Sequence, residues 1–131
     1  MNSKYEHKLV ESRIYEMWEK GGYFTPKIDP KKKPFTIMLP LPNANDSMHL
    51  GHAQFVVEDI LTRYHLMLGD PTLWLPGADH AGIETQYVFE KKLAKEGKSR
   101  FDFDRATLYK MLEKFAEENR SLNQFQLKRL G

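Results

Sequence analysis

The chain has 131 residues, 40% of them hydrophobic and 29% charged, the balance of an ordinary folded domain and not of a disordered one. It contains no cysteine, which excludes disulfides, thiolate nucleophiles and cysteine-held zinc and fits a reducing compartment. A formal net charge of +2 offers no compositional argument for nucleic-acid binding, and Lys31-Lys32-Lys33, set between Pro30 and Pro34, reads as a solvated turn. The N-terminus lacks the apolar core of a signal peptide, and no apolar run is long enough to span a bilayer. A cytoplasmic location with no membrane partner is expected.

In chain order, Tyr5 to Lys20 reads as a helix, with Leu9, Ile14, Tyr15 and Trp18 near one stripe and Gly21-Gly22 as its stop. A loop rich in proline and lysine follows. Phe35-Thr36-Ile37-Met38-Leu39 is a short apolar run between prolines, the pattern of a strand buried on both faces. Pro40 and Pro42 end it, because neither can donate to a sheet ladder. After the turn Asn43-Ala44-Asn45-Asp46-Ser47 the period becomes helical: Ala53, Val57, Ile60, Leu61, Tyr64 and Leu68 form one continuous face, closed by Gly69. Thr72-Leu73-Trp74-Leu75 reads as a second apolar strand, ended by Pro76-Gly77. A helix from about Gly82 to Glu96 stops at Gly97. Another starts at the N-cap Asp104, with Leu108, Met111, Leu112, Phe115 and Leu122 on its buried side. Trp18, Trp74 and the methionines Met38, Met48 and Met67 read as packing residues, and His7 and His65 as surface residues.

Strand, helix, strand describes a βαβ unit within an α/β fold. Parallel strands release their following loops on one edge of the sheet, where ligands bind. The loop holding Asn43 to His52 is therefore expected to converge with the loop holding Gly77 to His80. In the first loop a polar turn runs straight into a helix N-terminus, where unpaired N–H groups and the macrodipole favour phosphate. His49 and His52 stand i, i+3, so their rings share a face, and Gly51 lets a flat group approach the backbone. Two imidazole donors over an anion site suit a reaction that builds negative charge on phosphorus. A metal pair completed by His80 or Asp79 is the alternative for these histidines, although no fourth ligand is fixed. Asp79 can equally serve as a cap or turn residue ahead of the next helix.

His49-Leu50-Gly51-His52 resembles the His-Ile-Gly-His signature of class I aminoacyl-tRNA synthetases and related nucleotidylyl transferases. The context from Pro42 to His52 strengthens the likeness. Leu75 to Gln86, with Gly77-Ala78-Asp79-His80-Ala81-Gly82-Ile83 at its centre, resembles the valyl-tRNA synthetases, as does the closing Gln126-Leu127-Lys128-Arg129-Leu130-Gly131. Similarity covers nearly the whole chain. It implies that His49 and His52 contact ATP phosphates and act as the catalytic pair, and that Pro42, Asn43 and Gly51 complete the ATP site. It also implies that Asp79 pairs with the ammonium group of L-valine, with Leu41 and Asn43 beside it. Mg²⁺ would arrive with the nucleotide, and no resident metal is expected.

Two positions depart from the family pattern. Leu41 stands where a proline is usual, and Asp46 where a glycine is usual. Gly97-Lys98-Ser99 superficially matches a phosphate-binding loop, but Lys92 occupies the required upstream glycine position, so Gly97 reads as a helix cap.

The implied architecture is the first half of a Rossmann-like doubly wound parallel sheet, with an N-terminal helix and C-terminal helices. Residues 1–34 would form a helical arm and linker, and 35–131 the N-terminal half of the catalytic domain. Members of the family are several times longer, so the chain is expected to hold the ATP- and valine-binding half of a valine–tRNA ligase. Alone it should be weak or inactive, with little tRNA binding and a tendency to self-associate through an incomplete sheet. An inert folding module derived from a synthetase, or a small stand-alone nucleotidylyl transferase, are the competing readings.

Overall fold

The computed structural model describes residues 4–130. Among them the fold is α/β, with α1 at His7–Lys20, β1 at Phe35–Met38, α2 at Gln54–Met67, β2 at Thr72–Leu75, α3 at Gly82–Lys95 and α4 at Arg105–Leu130. Single 3-10 turns occur at Leu50–Ala53 and Arg100–Asp102. The chain divides into two compact units.

The first unit comprises Met1–Leu39, Gln54–Leu75 and Lys128–Gly131. Here β1 and β2 pair in parallel, with Phe35 opposite Thr72 and Met38 opposite Leu75. The ladder is extended by Phe35 N–H to the Pro71 carbonyl (2.9 Å) and Leu39 N–H to the Leu75 carbonyl (3.0 Å). As the βαβ reading requires, α2 links the two strands and packs on both. Leu39, Phe55, Thr62 and Thr72 are buried. The two threonines satisfy their hydroxyls locally, donating to the Glu58 and Asp70 carbonyls at 2.8 and 3.0 Å. On α1, Trp18 meets Phe24 edge-on and the Arg63 guanidinium from above, at 6.4 and 5.1 Å.

Several packing expectations are corrected in this unit. β1 is not buried on both faces: Thr36 and Met38 are exposed, because α2 covers one side of a sheet that has only two strands. The apolar stripe of α2 is not the face it buries. Phe55 and Thr62 point inward, whereas Val57, Ile60, Leu61, Tyr64 and Leu68 are 45–60% exposed. Periodicity located the helix but not its rotation about its own axis. Trp18 and Trp74 are half-buried, and the Trp74 indole N–H donates to Glu58 at 3.2 Å. Met38 and Met67 lie largely in solvent. His65 is half-buried, stacked on Phe35 with 3.6 Å between ring centroids and 2.8 Å from the Asp70 carboxylate.

The second unit comprises Pro40–Ala53 and Pro76–Leu127. Its core holds Ala44, Thr85, Phe89, Leu93 and Asn123, and Phe89 packs against Phe115 to join α3 to α4. Leu108, Met111, Leu112 and Phe115 are half-buried as expected, but Leu122 is 39% exposed and its neighbour Asn123 takes the inward position. Which of two neighbours on the helix turns inward is set by what it meets, and Asn123 meets the Asn43 carbonyl.

The glycine stops hold throughout. Gly22, Gly69 and Gly97 adopt φ of 67°, 75° and 71°. In each case the glycine N–H bonds three residues back and the following N–H five back, for example Gly97 to Ala94 (3.1 Å) and Lys98 to Leu93 (2.9 Å). No atom lies within 4 Å of a Cβ placed on Gly97, so only backbone strain opposes a side chain there. Gly97→Ala is therefore expected to lower stability by about 1 kcal/mol, read as a lower urea midpoint at unchanged m-value.

At the start of α4, Asp104 accepts from the Ala106 and Thr107 N–H groups at 2.9 and 3.0 Å and from the Thr107 hydroxyl. The Thr107 side chain first, then these N–H groups, hold the Asp104 carboxyl below its ordinary value. A carboxylate whose pKa is depressed by folding contributes stability above its unfolded pKa and loses it as pH falls through the folded one. Asp104→Asn, which keeps a capping oxygen without the charge, should flatten the acid limb of a stability–pH curve measured by circular dichroism.

Candidate functional site

Two loops of the second unit, one following β1 in the chain and the other following β2, are joined by an isolated parallel bridge between Asn43 and Asp79. Asp79 N–H donates to the Pro42 carbonyl at 3.0 Å, and Ala44 N–H donates to the Asp79 carbonyl at 2.8 Å. A side chain of the first loop also meets the backbone of the second. A Cβ built on Gly77 would stand 2.5 Å from Leu41 Cδ2, so the leucine lies directly on the glycine. Convergence of the loops, expected from the parallel strand order, is thus present as main-chain pairing.

The first loop then turns back on itself. Asp46 accepts from Ser47 N–H at 2.7 Å, and His52 N–H closes a turn on the His49 carbonyl at 2.9 Å. The His49 and His52 rings are 4.3 Å apart between centroids and tilted by 55°. His49 Nδ1 accepts the Gly51 N–H at 3.0 Å. A neutral imidazole that accepts at Nδ1 carries its proton on Nε2, so His49 presents an Nε2–H donor away from its own backbone. His52 Nδ1 lies 3.1 Å from the His49 nitrogen and 3.2 Å from the His49 carbonyl oxygen, so either tautomer meets a backbone partner. The space above Gly51 is taken by His49: a Cβ there would stand 2.8 Å from its ring.

A cavity of about 250 Å³ opens beside these residues, lined by Leu41, Pro42, Asn43, His49 and His52 among others. Gly51 and Asp79 do not line it. Asp79 Oδ1 accepts the Ala81 N–H at 2.9 Å, so the turn role open to it in the sequence is realised. That turn places Ala81 at φ 44°, the one non-glycine residue with positive φ among those described. Thr85 secures the turn by donating to the His80 carbonyl at 2.6 Å. No group of three or more His, Cys, Asp or Glu among the described residues is arranged to hold a metal ion.

Two side chains that sequence reasoning passed over belong to this region. Asn123 Nδ2 donates to the Asn43 carbonyl at 3.2 Å, and Gln126 Oε1 accepts from Met48 N–H at 2.8 Å. The signal was present: the inward stripe of α4 runs from Leu108 through Leu112 and Phe115, then continues in the amides Asn119, Asn123 and Gln126. Amides on an otherwise apolar stripe mark a helix face that meets backbone.

Residues 13–131 match the family described as tRNA synthetases class I (I, L, M and V). Among curated proteins, the chain is 50% identical over 122 residues to a valine–tRNA ligase of Arabidopsis thaliana named as chloroplastic/mitochondrial. It is 46% identical over 132 residues to the valine–tRNA ligase of Dehalococcoides mccartyi, and 49% over 119 residues to that of Geobacillus stearothermophilus. These alignments take in 92%, 100% and 90% of the chain but only 12%, 15% and 13% of the respective relatives, so the chain spans a small fraction of their length.

The contact between His49 and Gly51 makes Gly51→Ala informative. Its methyl group must displace the His49 ring, breaking the bond from Gly51 N–H to Nδ1. Long-range proton–nitrogen NMR is expected to show His49 as the Nε2–H tautomer in the parent chain and to lose that fixed pattern in the variant. The stability change should stay within about 1.5 kcal/mol, the range for one hydrogen bond.

Proposed function

The chain belongs to the class I tRNA synthetases, and from that membership we propose that it supplies the ATP- and valine-binding half of a valine–tRNA ligase site. The observation that carries this reading is the main-chain bridge from Asn43 to Asp79, which joins the loop of the paired histidines to the loop of the acidic residue. On this reading the βαβ unit is the first half of a Rossmann-like doubly wound sheet.

ATP enters along Pro42, Asn43 and the His49–His52 pair. The valine carboxylate attacks the α-phosphorus; an O–P bond forms, the bond to the bridging oxygen breaks, and pyrophosphate leaves with the electron pair. His49 Nε2–H and His52 donate to phosphoryl oxygens as their charge grows, which is worth most where donors are already oriented. The Gly51 N–H holds the His49 ring in the present arrangement, and that bond opens when the ring makes way for the nucleotide. The second Asp79 oxygen is available to the ammonium group, and Leu41 bounds the side-chain region. For adenine to lie against Gly51, the His49 ring must move off it.

Mg²⁺ would accompany the nucleotide and neutralise phosphate charge. The described residues offer no acidic or histidine cluster for it, so its protein contacts are not assigned. Valine activation and transfer to tRNA are proposed for the site as completed in the longer relatives, in a cytoplasmic setting. For this chain alone, weak ATP binding and little or no activation are expected. The exposed apolar stripe of α2 supports self-association as well.

Calorimetric titration tests the reading. ATP should bind the parent chain weakly and His49→Ala at least tenfold less tightly, the loss of one charge-assisted donor. Equal binding by both proteins would remove the histidines from the site. Pyrophosphate exchange with valine at the rate of a complete synthetase would overturn the expectation of low activity.

A further inference from the structure

Asn123 and Gln126 lie one helical turn apart on α4, and each grips a different point of the first loop. Asn123 holds the Asn43 carbonyl and Gln126 the Met48 N–H, one near the start of the polar turn and the other next to His49. Between those points the turn has the Ala44 N–H bond to the Asp79 carbonyl and its own short bonds, such as Ser47 N–H to Asp46. The two amides therefore act as struts on the segment that forms the cavity wall and delivers His49.

Stability alone does not account for asparagine at position 123. The side chain is 2% exposed, and its Oδ1 is the one buried side-chain polar atom among the described residues with no hydrogen-bond partner. Leaving a buried acceptor unpaired costs more than one amide bond to a carbonyl returns, and an apolar residue of similar size would avoid that cost. What an apolar residue cannot do is hold Asn43. Asn123 also lines the cavity, as do Asn43 and Met48, the two residues the struts secure.

We propose that Asn123 and Gln126 are positioning residues, which hold the Asn43–Met48 loop in the shape the nucleotide requires. The ligand assigned to the loop rests on the functional reading above; the strut itself does not. It acts through the loop, and neither residue is placed on the reacting atoms.

The test compares Asn123→Leu, Gln126→Leu and Gln126→Glu with the parent chain by amide hydrogen exchange, urea unfolding and ATP titration. Asn123→Leu should hold or raise the urea midpoint while exchange at Ala44 and Met48 quickens and ATP binding weakens about five- to tenfold. Gln126→Leu should free the Met48 amide, and Gln126→Glu, which retains the acceptor, should keep it protected. The proposal is overturned if loop amides stay protected in both leucine variants. It is equally overturned if stability, α3–α4 protection and affinity fall together in Asn123→Leu and Gln126→Glu. A parent chain that binds no ATP would sink the functional reading, while exchange at Ala44 and Met48 would still decide the strut.

Discussion

Two hydrogen bonds, from Asp79 N–H to the Pro42 carbonyl and from Ala44 N–H to the Asp79 carbonyl, bring together two loops that are distant in the chain. Everything proposed for chemistry depends on them. One of them starts at Ala44 and the other ends on Pro42, both buried residues, while Asp79, which takes part in both, is exposed.

The local punctuation of this fold was plainly legible in the sequence. Both strands, the three glycine helix stops and the Asp104 cap fall where residue chemistry puts them, because each depends on a few neighbouring backbone groups. Convergence of the loops was legible too, since it follows from strand order. Helix rotation was not. The apolar run of α2 implied an inward face, yet Phe55 and Thr62 take that role, because facing depends on partners that periodicity does not specify. The same limit explains why Leu122 was expected inside in place of Asn123.

For the candidate site, which residues would share a cavity was easier to read than how their side chains would be arranged. His49, His52, Asn43, Pro42 and Leu41 do surround one cavity. Gly51 was read as space for a ligand, and the structure fills that space with the His49 ring. Asp79 was read with two roles open, and one of its oxygens is committed to the turn at Ala81. Side chains hydrogen-bond to whatever backbone is nearby, so an unliganded loop satisfies itself first. The amides on α4 escaped notice because their partners are main-chain atoms far away in sequence.

The helix ends carry a broader implication. α1, α2 and α3 each finish in a closure made only of peptide N–H and carbonyl groups around a left-handed glycine. The closing peptide bonds themselves carry nothing that titrates, but at the end of α2 they are accompanied by the His65–Asp70 pair and by Lys32 Nζ on the Gly69 carbonyl, and at the end of α3 by Lys98 with Glu96. Ion pairs such as Lys20 with Glu16 or Lys114 with Glu118, spread along exposed helix faces, loosen as electrolyte is added. The C-terminal boundary of α1 is thus set by peptide groups alone, whereas those of α2 and α3 also carry charged side chains on which ionic conditions act.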